Sequence, residues 1–346
     1  MTRNRPLPVR DGLNPTRLVL PHNDDASEVA WPTAFAYLLW RFPDDEARLR
    51  EKVAVGEVVD GLGRPITEAT PYEPRGFLWL YRDPPANEPP VPALADIRVL
   101  HRDENLLVVD KPHLVSVMPR GRWVTQTALV HLRQALNLPE LSPAHRLDRP
   151  TAGVLAFTTR ASARGAYQGI FQERRVHKVY EAVASLQRVG SFTSIRHFEL
   201  PNRRETADSS EMSSFPVTVY SRIIKKRGVI AAQEVPGEPN AESRIDLIAH
   251  DDARRLGLFR LEPRTGKTHQ LRLHMNSLGL PILHDPFWPM LRSPEEEDST
   301  RPLQLLARSL AFTDPFTGKD HEFTSQRQLS EWTAVRDSLT LAPDDG

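Results

Sequence analysis

Apolar and polar positions along the chain alternate between two periods, with a proline-dense interruption. Residues 1–25 are rich in Pro, Arg, Asn and Asp and read as a mostly irregular lead-in. Pro32 to Phe42 (PTAFAYLLWRF) is apolar and helix-compatible. Asp44 suits the cap of a second helix through Glu46, Leu49 and Val53. A turn at Asp60-Gly61 and a strand over Gly76 to Tyr81 follow. Residues 83–93 (DPPANEPPVPA) hold too many fixed φ angles and missing donors for regular structure, which puts a domain boundary there.

Beyond it, two apolar runs in 97–110 flank Asp103-Glu104-Asn105 and predict a hairpin. Leu129, Leu132 and Leu136 stand at helical spacing in Thr125 to Leu138, an amphipathic helix expected to cover a sheet face. Val154 to Phe157 reads as a buried strand, Ala161 to Arg175 as a second amphipathic helix, and Val176 to Ala184 as an alternating strand. Strands follow at Pro216 to Ser221, Ser243 to His250 and Leu256 to Leu261, then a helix from Lys267 or Thr268. The apolar stretches Pro281 to Leu283 and Pro302 to Phe312 add two more strands. Polar segments 203–214 and 233–243 read as loops, and 331–346 as a C-terminal tail fraying from Leu341.

Composition narrows the function classes. No residue is Cys, which removes disulfides, thiolate metal sites and a Cys nucleophile, and agrees with a reducing cytoplasm. MTRNRPLPVRDG is not followed by an apolar core, so it does not read as a secretory signal. No stretch approaches the ~20 apolar residues a membrane-spanning helix needs. Net charge is zero, yet it is segregated: arginines gather in 160–178 and 254–272, and Glu295-Glu296-Glu297-Asp298 is acidic. No oligomerisation heptads occur, so a monomer is expected.

The densest chemistry lies in Pro143 to Thr158, PAHRLDRPTAGVLAFT. Pro150 and Gly153 precede the apolar run, so Asp148 belongs to a loop entering a strand. Arg146 and Arg149 flank it, and a nearby guanidinium favours a charged carboxylate, as a nucleophile requires. The same neighbours also permit a plain surface ion pair. Arg160, Arg164, Arg174 and Arg175 rim the second helix, as a solvated face or as phosphate ligands. His269 and His274 lack the Cys or carboxylate companions of a metal site, so no metal is expected.

Four strings in order resemble the RluA-type pseudouridine synthases. They are Leu106 to Pro112 (LLVVDKP), the HRLD string at His145 to Asp148 with its TAG run, Lys178 to Ala182 (KVYEA), and Arg264 to His274 (RTGKTHQLRLH). The resemblance spans 97–325 and implies an α+β fold: a mixed, mainly antiparallel, bisected sheet flanked by helices, crossed by an RNA cleft. It divides the chain into a small α+β appendage (1–93), a catalytic domain (94–330) and the tail. Two helices and a turn in GEVVDGLGRPI faintly resemble the S4-type RNA-binding domain; a small appendage packed on the main domain fits equally. The family's pattern departs at three places: His113-Leu114 after the Lys-Pro, Leu280 for a His, and His284 for a Gly.

The resemblance implies that Asp148 is the catalytic nucleophile, that Tyr180 stacks on the target base, and that Arg272 pairs with Asp148. An aromatic face is a good platform for a splayed pyrimidine, and a paired arginine holds a carboxylate charged in a dry pocket. Arg146, Arg149, Arg264, Lys267 and His269 complete an expected RNA-binding set, with His269, Gln270 and Thr268 also read as scaffolding. The implied reaction turns specific uridines of structured RNA, ribosomal or transfer, into pseudouridine. No atom is gained or lost, so no cofactor is needed. A non-catalytic RNA-binding protein is the alternative; the trio Asp148, Tyr180 and Arg272 argues against it. A glycoside hydrolase normally needs a second carboxylate, and none stands inside these motifs.

Overall fold

The computed structural model describes residues 6–22, 31–186, 215–226, 228–291 and 298–340, with side chains to Val335. The 203–214 loop, Arg227, Glu295 to Glu297 and the segment from Leu341 lie outside the described residues. Two compact units divide the chain: 1–89 with 119–125 and 129–140, and 90–118 with 126–128 and 141–346. The break between 89 and 90 falls inside the proline-dense stretch.

In the first unit, β1 (Thr16–Val19), β2 (Val59–Asp60) and β3 (Phe77–Leu80) form an antiparallel sheet in the order β1-β3-β2. The lead-in therefore contributes a strand. Helix α1 (Ala34–Arg41) is capped by Thr33, whose hydroxyl accepts the Ala36 N–H at 3.0 Å. Helix α2 (Glu46–Ala54) follows a short 3-10 turn, Pro43–Asp45. Asp44 lies within that turn and Asp45 occupies the cap position, with no side-chain cap bond, so Asp44 is not the cap. Phe35, Leu38, Leu49, Val53, Leu78 and Leu80 close the core. Arg48 on α2 is held by Asp83 and Glu51, and Arg50 by Glu46 and Glu68.

Helix α3 (Ala128–Ala135) supplies the predicted Leu129 and Leu132 but groups mainly with this first unit. Its polar positions explain why. Arg133, 4% exposed, donates to the Gly12 carbonyl at 2.7 Å, and Gln134 donates to the Asp11 carbonyl at 2.8 Å. A buried guanidinium must satisfy its donors, and residues 11–14 provide the acceptors.

The second unit is built on an eleven-stranded sheet. Its strands are β4 (Arg98–Arg102), β5 (Leu106–Lys111), β6 (Ser142–Pro143), β7 (Ala152–Thr158), β8 (Val176–Ser185) and β9 (Val217–Ile224). They continue with β10 (Gln233–Val235), β11 (Ala241–Asp251), β12 (Leu256–Pro263), β13 (Leu305–Thr313) and β14 (Asp320–Thr324). The order is β10-β9-β11-β12-β8-β13-β7-β5-β4, with β14 on β13 and β6 on β7. Among the described strands only β13 and β7 run parallel, so the sheet is mixed and mainly antiparallel. Strands β5 and β7 are buried throughout, as their unbroken apolar runs require.

Two cores flank the sheet. Helix α4 (Arg164–Gln172) sets Tyr167 and Ile170 against Leu106, Val154 and Leu310. Helix α5 (Gln270–Ser277) sets Leu271 and Met275 against Ile245, Phe259 and Leu280. The stretch Pro281 to Leu283 is no ladder strand; it makes a single bridge, Ile282 to Ala184. Residues 330–340, read from sequence as mostly tail, form helix α6 (Ser330–Thr340).

Candidate active site

Asp148 sits in the tight turn before β7, where the Thr151 N–H donates to its carbonyl at 3.0 Å. Gly153 makes that approach feasible. Its φ is +111°, and a Cβ there would stand 2.2 Å from the Ala307 carbonyl oxygen on the parallel partner β13. Only glycine combines this conformation with this contact. The turn is also held from beneath. Lys111, fully buried at the end of β5, donates to the carbonyls of Pro112, Val115 and Arg149 at 2.9, 3.0 and 3.3 Å. Burial, then the charge of Arg149, pushes its ammonium down to about 7. His113 adds a bond from Nδ1 to the Pro150 carbonyl at 2.7 Å, and burial pushes this ring down to about 4, so it is neutral.

The remaining walls come from three places. Tyr180 projects from β8, and Lys178 lies two residues before it on the same face. Burial, then the charge of Asp148, pushes the Tyr180 phenol up, keeping it protonated. The turn after β12 is stapled by Gln270, whose Oε1 accepts from Thr265 Oγ1 and the Lys267 N–H at 2.7 and 3.0 Å, while Nε2 donates to the Glu242 carbonyl at 2.9 Å. This staple delays α5 to Gln270, leaving His269 in left-handed backbone at φ 59°. The His269 Nδ1 accepts the Ala232 N–H, and burial pushes the ring down to about 4.

Arg272 projects from α5 with 2% of its side chain exposed. Its principal partner is Asp285, 1% exposed, to which Nε and Nη2 donate at 2.7 and 2.6 Å. Nη1 lies 3.5 Å from Asp148 Oδ2, long for a hydrogen bond but close for a charge contact. Burial opposes the Arg272 charge, yet the bonds and charge of Asp285, with the charge of Asp148, push its pKa up. Phe287 and Trp288 cover the guanidinium, at 4.6 and 5.1 Å from ring centroid to Cζ. Asp148 is 30% exposed. The result is a buried, doubly held cation behind a carboxylate that faces an open pocket.

Asp148, Tyr180, Lys267, His269 and Arg272 thus line one pocket, with Lys178 and Thr151. The other expected residues stand apart. Arg146 is exposed, Arg149 offers its carbonyl to Lys111, and Arg264 pairs with Glu242 at 3.5 Å outside the pocket lining. Sequence reasoning assigned no role to Asp285, Phe287, Trp288, Lys111 or His113. The readable signal for Asp285 was an acid ending the apolar run PIL, a pattern that calls for a buried partner.

The family model described as RNA pseudouridylate synthase matches residues 105–277, half of the 346-residue chain. The chain belongs to this family, in its RluA-type branch. The human pseudouridylate synthase RPUSD2 is 34% identical over 202 residues, 58% of this chain but only about a third (32%) of that protein's length. An uncharacterized RNA pseudouridine synthase of Synechocystis sp. is 30% identical over 68% of this chain and 72% of its own. The dual-specificity RNA pseudouridine synthase RluA of Haemophilus influenzae is 28% identical over 69% of this chain and 95% of its own.

The chain's departures from the pseudouridine synthase pattern now have local explanations. Leu114 and His284 adopt φ of 62° and 60°, so each keeps the left-handed turn that glycine would make. The His284 side chain turns to Glu331 of α6, Nε2 to Oε1 at 2.6 Å, and does not line the pocket. Leu280, 1% exposed, belongs to the core beside Met275.

Proposed function

We propose that the chain isomerises specific uridines of structured RNA to pseudouridine, with Asp148 as the catalytic carboxylate, Tyr180 as the stacking platform and Arg272 as the residue that positions Asp148. One observation carries this reading. Three side chains from separate strings of the sequence meet in a single pocket, where a buried arginine backs a half-exposed carboxylate at 3.5 Å.

The reaction breaks the N1–C1′ bond, turns the detached uracil, joins C5 to C1′, and moves the C5 proton off while N1 regains one. Asp148 supplies the carboxylate at the ribose. Tyr180 retains the base through its face, and its raised phenol keeps a second negative charge away from Asp148. The target must leave its stack, which costs a few kcal/mol and favours loops or disrupted helices. Asp285 does not serve as the second acid of a hydrolase, because both its oxygens are engaged by Arg272.

A relative named for transfer RNA and one named for dual RNA specificity support transfer RNA, and more than one class of structured RNA, as the substrate; ribosomal RNA is the second class proposed. In the first unit, the α2 arginines Arg48 and Arg50 are already neutralised, so the RNA reading rests on the second unit. The test uses bulk RNA tritiated at uracil C5. Wild type is expected to release tritium, and Asp148→Asn to release none while melting like wild type. Free uracil among the products identifies hydrolysis instead. Tight RNA binding without tritium release from any fraction favours the non-catalytic alternative.

A further inference from the structure

Two lysines, Lys178 and Lys267, line the pocket and take no part in the chemistry above; Lys178 is the one with a distinctive setting. Lys178 lies on β8 on the same face as Tyr180, and both line the pocket. Its Nζ donates to the Thr265 carbonyl at 3.2 Å, which leaves two of its three N–H groups for another acceptor. Among the described residues, no carboxylate stands within ion-pair distance of it, and Arg174 is the charge acting most directly on it. Gly266 borders the ammonium: a Cβ there would sit 4.0 Å from Nζ, so the turn leaves that side open.

The contrast with neighbouring cations is informative. Arg160 pairs with Glu104, Arg175 with Glu173, Arg260 with Glu262, Arg254 with Asp251 and Arg264 with Glu242. Five arginines of these basic clusters are therefore neutralised by the chain itself. Lys178 is not, although it is half-buried, where an unpaired charge is costly. A like-charged neighbour at Arg174 raises that cost further. Such a group is best satisfied by an incoming anion with several acceptor oxygens.

We propose that Lys178, with Arg174 beside it, binds a backbone phosphate of the RNA next to the target nucleotide and so fixes the ribose against Asp148. The inference rests on the pocket being an RNA site. A second chemistry for a lysine here is removal of the C5 proton. The geometry favours phosphate: the ammonium is held by the Thr265 carbonyl at the turn after β12, where Gly266 leaves its flank open to a bulky anion.

The titration of Lys178 adds a signature. Burial, then Arg174, pushes it down to about 8. Facing it are Arg174 from the end of α4, neutral His145 from the loop before β7, and protonated Tyr180, with Asp148, Lys267 and His269 on the pocket walls. A bound phosphate raises the lysine's pKa, so RNA binding takes up a proton and weakens as pH climbs past 8.

The experiment compares wild type, Lys178→Met and Lys178→Arg with a fluorescein-labelled RNA hairpin carrying uridines in its loop. In Lys178→Met, affinity at moderate salt is expected to fall about tenfold and the slope of log K against log salt by ~0.7–0.9. Its single-turnover rate at saturating RNA falls by no more than the affinity does, and Lys178→Arg recovers both. Lys178→Arg keeps the affinity and removes its loss above pH 8, a readout that a merely structural lysine does not move. Unchanged affinity and salt slope in Lys178→Met overturn the proposal. So does unchanged affinity with a collapsed single-turnover rate in both variants, which assigns Lys178 to proton transfer. If wild type forms no pseudouridine in any RNA while the binding differences persist, the phosphate role stands and the catalytic reading falls.

Discussion

Asp285→Asn isolates the part of the site that holds the cation. The substitution preserves shape and removes one charge. Arg272 and Asp285 are 2% and 1% exposed, and their two bonds of 2.7 and 2.6 Å form a fork. Removing one partner of a buried pair costs about 3–5 kcal/mol, because the other charge is left without compensation. Asparagine keeps one acceptor, and Asp148 still offers a negative charge at 3.5 Å. The cost therefore falls at the lower end, about 3 kcal/mol, or roughly 6–12 °C in the melting of the second unit. Activity should fall by a comparable free energy. Once released from Asp285, the guanidinium turns wholly onto Asp148 and closes that 3.5 Å gap, covering the oxygen proposed to act at the ribose. A displacement approaching 1 Å in a reacting group is worth about 10²-fold in rate. Urea unfolding followed by tryptophan fluorescence reads the first effect, and single-turnover pseudouridine formation well below the melting temperature reads the second. The double variant Arg272→Met/Asp285→Leu removes both charges and should recover much of the stability with none of the activity. A single variant with wild-type midpoint and rate would refute the assignment of Asp285 as the anchor of Arg272.

Gly153→Ala places a methyl 2.2 Å from the Ala307 carbonyl at a φ of +111°, so β7 and β13 must separate beside Asp148. A loss above about 3 kcal/mol is expected; a urea midpoint close to wild type would show that the parallel pair tolerates side chains there. Acid should destabilise the chain early. Burial holds His113, His269 and His274 down at about 4 and His145 at about 3, below the ordinary 6.5. The unfolded chain takes up these protons below 6.5 and the folded chain does not, so stability is full above 6.5 and is lost as pH falls toward 4. Each ring contributes at most about 1.4 kcal/mol per pH unit in that window. Melting temperatures from pH 7 to 5 should drop steeply, and His113→Gln should shallow the drop; a flat profile would mean that these rings are not buried neutral.

What was legible in the sequence follows from how far apart the partners lie along the chain. Asp148 and Tyr180 sit in contiguous strings whose turn, strand and polar residues are encoded locally, so their setting is readable from letters. Arg272 was readable as a residue but not in its pairing. Its stronger partner lies thirteen residues on, beyond the end of α5, and only burial makes that pair obligatory. The start of α5 was misplaced for a similar reason: Gln270 reaches back to Thr265 and Lys267, a side-chain bond that overrides the helical preference of the intervening residues. Strand β10 has polar composition because it is an edge strand, paired by backbone alone to β9, and its letters resemble a loop.

Helix α3 shows the limit most clearly. Its leucine stripe announced a helix that buries one face, and that part is local. Which unit it joins depends on Arg133 and Gln134, whose acceptors are carbonyls more than a hundred residues earlier. A backbone carbonyl has no letter of its own, so no pattern of side chains advertises it as a destination. The chain is thus not cut cleanly at its proline-dense stretch: a segment that follows the first strands of the second unit groups with the unit before them. Removing residues 1–89 would leave Arg133, 4% exposed in the whole chain, without the Gly12 acceptor. Because an unsatisfied buried guanidinium is costly, the intact chain is the right material for every measurement on Asp148.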